Sequence, residues 1–494
     1  MIFGLILASC DFLDLQPEDS YTVSASYKTQ DDFEKAIAGV YDSQQRLYSG
    51  ADCWFRAMII RGDEVRAGTG GSSSTGISTF LDDAKVPILA TGWQYLWQMI
   101  ARSNMILCRI DDADFKDETM RAYIKGEAYA LRAWAYYTLC WQFGGMPLIT
   151  SEMSLKEVRT VARSDADATF ALAEGDYKRA ISLLPAKWEF TEDDGSVNKD
   201  YVGRVTRYAA MGGLARLYMF RSEFSKARFY LKQIIDSGLY DMEENYVDCF
   251  VDSHDNGKER VWEVQFSGNL TGEGTAFISG LLPDGYNKEG DPTALMPFNG
   301  YSTAMRIALN MMDCYESGDI RKAVSTVQNL VVSGVKEPVY SYIIKYVHYS
   351  YRPQARDDWA NNLPIMRYTD VLMLYVECLN EEGYSAGGEA MRILNRVRAR
   401  AGLAPYTSAE LTNQASFRTA LREERRLEFA FEGLRWQDLL RWGTAQDAMT
   451  DHFSIPDNGK GYYKMNDYQT VFPIPYDELS RYNDDSVMWQ NPGY

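Results

Sequence analysis

The stretch TRYAAMGGLARLYMFRSEFSKARFYLKQIIDSGLY, Thr206 to Tyr240, reads as two helices joined by a tight reversal. Small residues at Ala209, Ala210, Gly212, Gly213 and Ala215 let a second helix approach closely. Arg221-Ser222-Glu223 then turns the chain into Phe224 to Ser237.

This economy is that of a tetratricopeptide helix pair, and the pattern extends in both directions. Asp31 to Tyr48 places Phe33, Ile37, Val40 and Tyr41 on one face, and Gly92 to Ile110 repeats apolar residues every three to four positions. Glu118 to Gly144 is a long helix stopped by Gly144-Gly145 with Pro147 beyond, partnered by Ser164 to Leu184, which Pro185 closes. Met366 to Gly383 followed by Gly387 to Leu403 makes a further pair. Such repeats ordinarily recur every ~34 residues, whereas here they are scattered, so insertions separate them. The expected fold is mostly α: a scaffold of about four tetratricopeptide-like helix pairs with a loop-rich, partly β-containing face.

The insertions show as breaks in periodicity. Arg61 to Gly92 carries AGTGGSSSTG and reads as a flexible surface loop. Asn245 to Arg306 passes from the strand-like VWEVQF into a Gly- and Pro-rich run without helical pattern, and Val339 to Tyr351 alternates aromatic and β-branched residues like a strand. Long loops in packed domains are functional or disordered, and aromatic residues argue against disorder here.

At 494 residues, 46% hydrophobic and 24% charged, the chain has the composition of a globular protein with ample core. A net charge of -18 argues against a nucleic-acid partner, since no basic run interrupts it. With three histidines far apart, His254, His348 and His452, a histidine zinc site or a Ser-His-Asp triad lacks material. Cys53, Cys108, Cys140, Cys249, Cys314 and Cys378 form no C-x-x-C pair and read mostly as buried free thiols. DDWANN and DAKVP lack EF-hand spacing, so no metal and no cofactor is expected.

The apolar run Ile2 to Ala8 is too short to span a bilayer, which needs ~20 residues. Its end, Leu7-Ala8-Ser9-Cys10, resembles a bacterial lipobox, in which the cysteine is acylated and becomes the new N-terminus. Asp11 and Asp14 resemble the acidic export signal of surface lipoproteins in Bacteroidota.

Two C-terminal stretches, FRTALREERRLEFAFEGLRWQDLLRWG (Phe417 to Gly443) and Val471 to Tyr494, resemble the signature of the SusD/RagB family of outer-membrane nutrient-binding lipoproteins. Ala130 to Ile149, LPIMRYTDVLMLYVECLNEEG and ILNRVRARAGL look like further blocks of that family in the expected order. The resemblance implies a signal peptide over residues 1–9, lipidation at Cys10 and one domain over 10–494. Within it, an N-terminal part (about 10–225) and a C-terminal part (about 226–494) intertwine. It also implies a cell-surface, outer-membrane protein that binds an oligosaccharide and hands it to a SusC-like TonB-dependent transporter, without catalysis.

Glu424 and Glu428, one helical turn apart, have the spacing of a glycosidase pair, but arginines surround them and lower carboxylate pKa where an acid catalyst needs one raised. The cluster therefore reads as a structural ion-pair network, with Arg435, Trp436 and Trp442 packed into it. Trp93 and Trp97 share a helix face with Ile100 and read as core. Loop aromatics are better ligand platforms, because binding groups concentrate on loops held by a rigid scaffold. The candidates are Trp54, Asp63 and Arg66 at the first loop, Tyr286, Asn287, Phe298, Asn299 and Tyr301 in the second, and Trp359. The competing readings are a peptide binder of the RagB type, a helical glycoside hydrolase using paired carboxylates, and a periplasmic tetratricopeptide scaffold.

Overall fold

The computed structural model describes residues 27–68, 73–74, 76–191, 196–281, 283, 305–332, 335–336, 339–348, 350 and 352–494. The expectations for Cys10 and its flanks, and for Tyr286, Asn287, Phe298, Asn299 and Tyr301, lie outside the described residues. The scaffold helices run α1 Gln30–Ser49, α2 Trp54–Arg61, α3 Pro87–Arg109, α4 Glu118–Phe143, α5 Ala166–Leu183 and α6 Arg207–Phe220. They continue as α7 Phe224–Asp236, α8 Tyr368–Glu382, α9 Glu389–Arg400, α10 Gln414–Glu428 and α11 Arg435–Arg441.

Local chemistry sets the helix ends. Thr29 and Asp32 form a capping box at α1, and the side chains of Asp165, Thr206 and Asn413 accept backbone N–H groups at α5, α6 and α10. Each such cap contributes about 1 kcal/mol. Pro87 opens α3, and α4 stops at Gly144, whose φ of +84° favours glycine.

Packing joins α1 to α3, α4 to α5, α6 to α7 and α8 to α9, and then links the pairs through α3–α4, α5–α6 and α7–α8. The four pairs thus form one continuous helical layer, as the periodicity predicts. The small-residue stripe of α6 has a different neighbour from its own partner helix. A Cβ on Gly213 would lie 2.6 Å from the Tyr177 hydroxyl of α5, and one on Gly212 would lie 2.2 Å from Met366 Sδ. These glycines bring the preceding helix pair and a strand against α6.

The sheets are small. Strand β1 (Arg260–Val264) pairs antiparallel with β4 (Leu363–Arg367), and β2 (Thr326–Gln328) with β3 (Ser341–Ile343). Among the described residues of the strand expected over Val339 to Tyr351, Ser341 to Ile343 form the strand. Arg61 to Gly92 is also not a surface loop throughout: Ile77 to Phe80 are buried, and Asp82 pairs with Arg61 inside the protein. The described cysteines are free thiols, and Cys108 is exposed rather than buried. No described helix is long and apolar enough to cross a membrane.

Candidate functional site

Four loop segments converge beyond the end of α2. The Arg66 N–H donates to the Arg306 carbonyl (2.8 Å), and Val65 bridges Ile307, which ties the first insertion to the exit of the second. Arg66 Nε donates to the Asp457 carbonyl (2.7 Å), and its Nη2 lies 3.2 Å from Asp457 Oδ1. The Arg66 and Arg306 guanidinium carbons lie 5.1 and 4.4 Å from the Tyr340 ring centre, and the Tyr340 hydroxyl donates to Asp457 Oδ1 (3.3 Å). Tyr463 lies against Gly68, and the next ring, Tyr462, is 84% exposed. This face offers forked cationic donors, a carboxylate acceptor and an open aromatic ring.

Behind it, the C-terminal charges close into a buried network. Glu428 Oε1 accepts from Arg400 Nη2 (2.7 Å) and Arg367 Nη2 (3.1 Å), and Glu424 Oε1 accepts from Arg321 Nη1 (2.6 Å). Lys345 and Arg367 both reach Glu432, while Arg425 joins Asp370 to Asp438. The ion-pair reading of this cluster stands, but the partners are not the arginines at helical spacing: they come from other segments. The three guanidinium groups hold Glu428 down at about 2 against the penalty of burial, whereas burial raises Glu424 above its ordinary value despite Arg321 and Arg398. Both carboxylates are buried and occupied by arginine, which leaves no room for a glycosidic bond between them.

Two family models match the chain in succession. One, described as starch-binding associating with outer membrane, covers residues 11–219, and the other, the SusD family, covers 296–494. The chain belongs to the SusD/RagB family. SusD-like protein P25 of Formosa agariphila is 24% identical over 97% of this chain and 96% of its own. The SusD-like protein of Bacteroides ovatus is 25% identical over 91% and 83%. Among solved structures, a laminarin binding SusD-like protein is 25% identical, with a TM-score of 0.76 over 95% of this chain and 100% of that one. The fold of surface glycan-binding protein A from Bacteroides thetaiotaomicron, solved with laminarihexaose, superposes with a TM-score of 0.75 at 21% identity, over 94% of this chain and 100% of that one. As a SusD/RagB member the protein is a binding protein and not an enzyme.

Within this SusD/RagB fold the sequence-derived candidates separate. Trp54 is 1% exposed in α2, its ring against Phe143 and Phe472, so it is core and offers no ring face. The reason is that WFRAMIIR is apolar on nearly every side and every one of its residues is buried. Asp63 is buried too: Arg435 grips it through Nε (2.7 Å) and Nη2 (2.9 Å), and with Arg426 holds its carboxyl well below the usual range. Trp359 is fully buried, its Nε1 donating to Ser279 Oγ (2.9 Å). Arg66 alone of the described candidates reaches the loop face. Sequence reasoning missed Arg306, Tyr340, Asp457 and Tyr462. The run GKGYYK, Gly459 to Lys464, carries the signal that marks Tyr462 and Tyr463, two aromatics in a glycine-punctuated turn.

Two other features are structural. A cavity of about 80 Å³ beside Trp54, Trp134 and Trp141 holds a few waters at most. Glu243, Asp248 and His254 bring one ligand atom each within 4.8 Å of one another, but Lys258 Nζ, 3.4 Å from Glu243 Oε2, already supplies a positive charge there.

Proposed function

We propose that this protein is an outer-membrane lipoprotein, anchored through Cys10 and facing outward, that binds a nutrient glycan on its loop face. It then delivers the glycan to a SusC-like TonB-dependent transporter. The observation that carries this reading is the end-to-end likeness to a laminarin binding SusD-like protein. The loop face supports it: a sugar ring stacks its C–H face on Tyr462, while Arg66, Arg306 and Asp457 offer donors and acceptors to hydroxyls. Tyr286, Asn287, Phe298, Asn299 and Tyr301, which precede Arg306 in the same insertion of the sequence, are proposed as further ligand-binding residues. Binding is passive, and the helical layer docks the body on the barrel.

The test is titration of the chain from Cys10 onward with laminarin, other polysaccharides and a peptide library. The expected result is saturable glycan binding, weakened about five- to thirtyfold by Tyr462→Ala with unchanged thermal unfolding. Silence on glycans with saturable peptide binding refutes the glycan assignment. Purification of the native protein without a barrel partner refutes the delivery step.

A further inference from the structure

We propose that a cavity away from the loop face, between the Pro185–Thr206 segment and β1, is a second saccharide site that takes an acidic sugar, a uronate unit. That the ligand is a saccharide rests on the function proposed above. The cavity itself, and its charge, stand on their own geometry.

The space measures about 370 Å³, within the range of small-ligand sites, and shares no lining residue with the Arg66–Tyr340 cluster. Trp188, Tyr240 and Trp262 border the space; Tyr240 is half-buried and supplies the accessible ring, while the two tryptophans are 2% and 4% exposed. Trp188 is fixed by its Nε1 donating to the Val205 carbonyl (2.9 Å) and by edge contacts with Tyr123 and Phe190. Gly203 holds the loop close to β1: with φ at +99°, a Cβ there would meet the Gln265 side chain at 2.6 Å. The rim carries two exposed apolar side chains, Val202 and Leu239. An accessible aromatic ring with a few convergent polar groups suits an amphipathic ring better than a lipid chain.

Charge selects the acidic class. Lys187, Arg204, Lys258 and Arg260 line the space against Glu189 and Glu263, an excess of cations in a chain of net charge -18. Arg260 is taken by Glu263 (2.8 Å) and Asp255, and Lys187 by Glu189 (2.7 Å). Lys258 differs. Its side chain is 43% exposed and its contact to Glu243 is 3.4 Å, longer than a charge-assisted hydrogen bond of about 2.7–2.9 Å, so the ammonium retains donors for a ligand carboxylate. Arg204 also lies 3.4 Å from its partner Glu127, whose carboxyl burial pushes up to about 7, so that the counter-charge is partial at neutral pH.

The test is calorimetric titration of the chain with digalacturonate, with laminaribiose as the neutral probe. Saturable digalacturonate binding is expected, weakened about tenfold or more by Lys258→Ala and by Val202→Trp, which fills the mouth. Both positions are exposed, so both variants fold. Raising salt from roughly 0.05 to 0.5 M weakens it further. No binding of digalacturonate, binding untouched by both variants, or equal affinity for laminaribiose overturns the proposal. Tyr462→Ala separates the two sites: it weakens polysaccharide binding at the loop face about five- to thirtyfold and leaves digalacturonate affinity unchanged. If Tyr462→Ala leaves polysaccharide binding intact, the loop-face reading fails without touching this one.

Discussion

Replacing Glu428 with Gln removes one negative charge from the point where three guanidinium groups meet. Its Oε1 accepts from Arg400 (2.7 Å) and Arg367 (3.1 Å), and its Oε2 lies 3.5 Å from Arg321. The residue is 0% exposed, so solvent does not screen the loss. Two routes give its size. The carboxyl sits at about 2 in the folded protein against an ordinary 4.5. That difference corresponds to about 3 kcal/mol at neutral pH. Independently, removing one partner of a buried ion pair costs about 3–5 kcal/mol, because the remaining charge stays uncompensated.

The sign with pH follows. A folded pKa below the unfolded one gives stability that is complete above 4.5 and lost as pH falls toward 2, so wild type and Glu428→Gln converge in acid. The assay is urea unfolding followed by tryptophan fluorescence and far-UV circular dichroism at pH 7 and in acid. Glu423→Gln, an exposed carboxylate on the same helix, is the control. Expected are losses of about 3 kcal/mol for Glu428→Gln and at most about 0.5 kcal/mol for Glu423→Gln. A Glu428→Gln loss under about 1 kcal/mol with unchanged m refutes the network as a stabilising hub.

Trp54→Ala lowers stability by about 3–5 kcal/mol while leaving the glycan affinity of the folded fraction unchanged; unaltered stability with lost affinity restores Trp54 to the binding face. Gly213→Ala drives a methyl into the Tyr177 ring and costs about 1–3 kcal/mol. Gly175→Ala, with the nearest neighbour 4.0 Å away, stabilises α5 by about 0.5–1 kcal/mol, so thermal unfolding of the two variants shifts in opposite directions. Burial pushes His452 down to about 4, so it contributes instability as pH falls from 6.5 toward 4, and His452→Gln flattens that limb of a stability–pH profile. Burial and the neighbouring Asp63 push Glu64 up to about 8, so stability declines as pH rises from 4.5 to 8 and Glu64→Gln flattens the slope there.

Helix pairing was legible because it is a local property. Phe33, Ile37 and Val40 share the buried stripe of α1, and Trp93 and Leu96 that of α3, as their spacing requires. Stop signals were equally local: Gly144 ends α4 and Pro185 follows α5. The Arg/Glu cluster was legible as ionic in kind but not in pairing. Glu428 meets Arg321 across 107 positions and Arg367 across 61, and no spacing rule reports such distances.

The amino-acid sequence by itself determined the helical scaffold, the ionic character of the C-terminal block and the family, since periodicity, caps and motif order are written along the chain. The tertiary structure alone decided which aromatics face solvent. Trp54 and Tyr462 both sit beside loops rich in glycine, yet one is 1% and the other 84% exposed. The difference arises because α2 is enclosed by α3, α4 and the C-terminal segment, whereas the Gly459–Lys464 turn leaves the Tyr462 ring uncovered. Burial is a sum over distant neighbours, and a residue's own surroundings in sequence do not contain it.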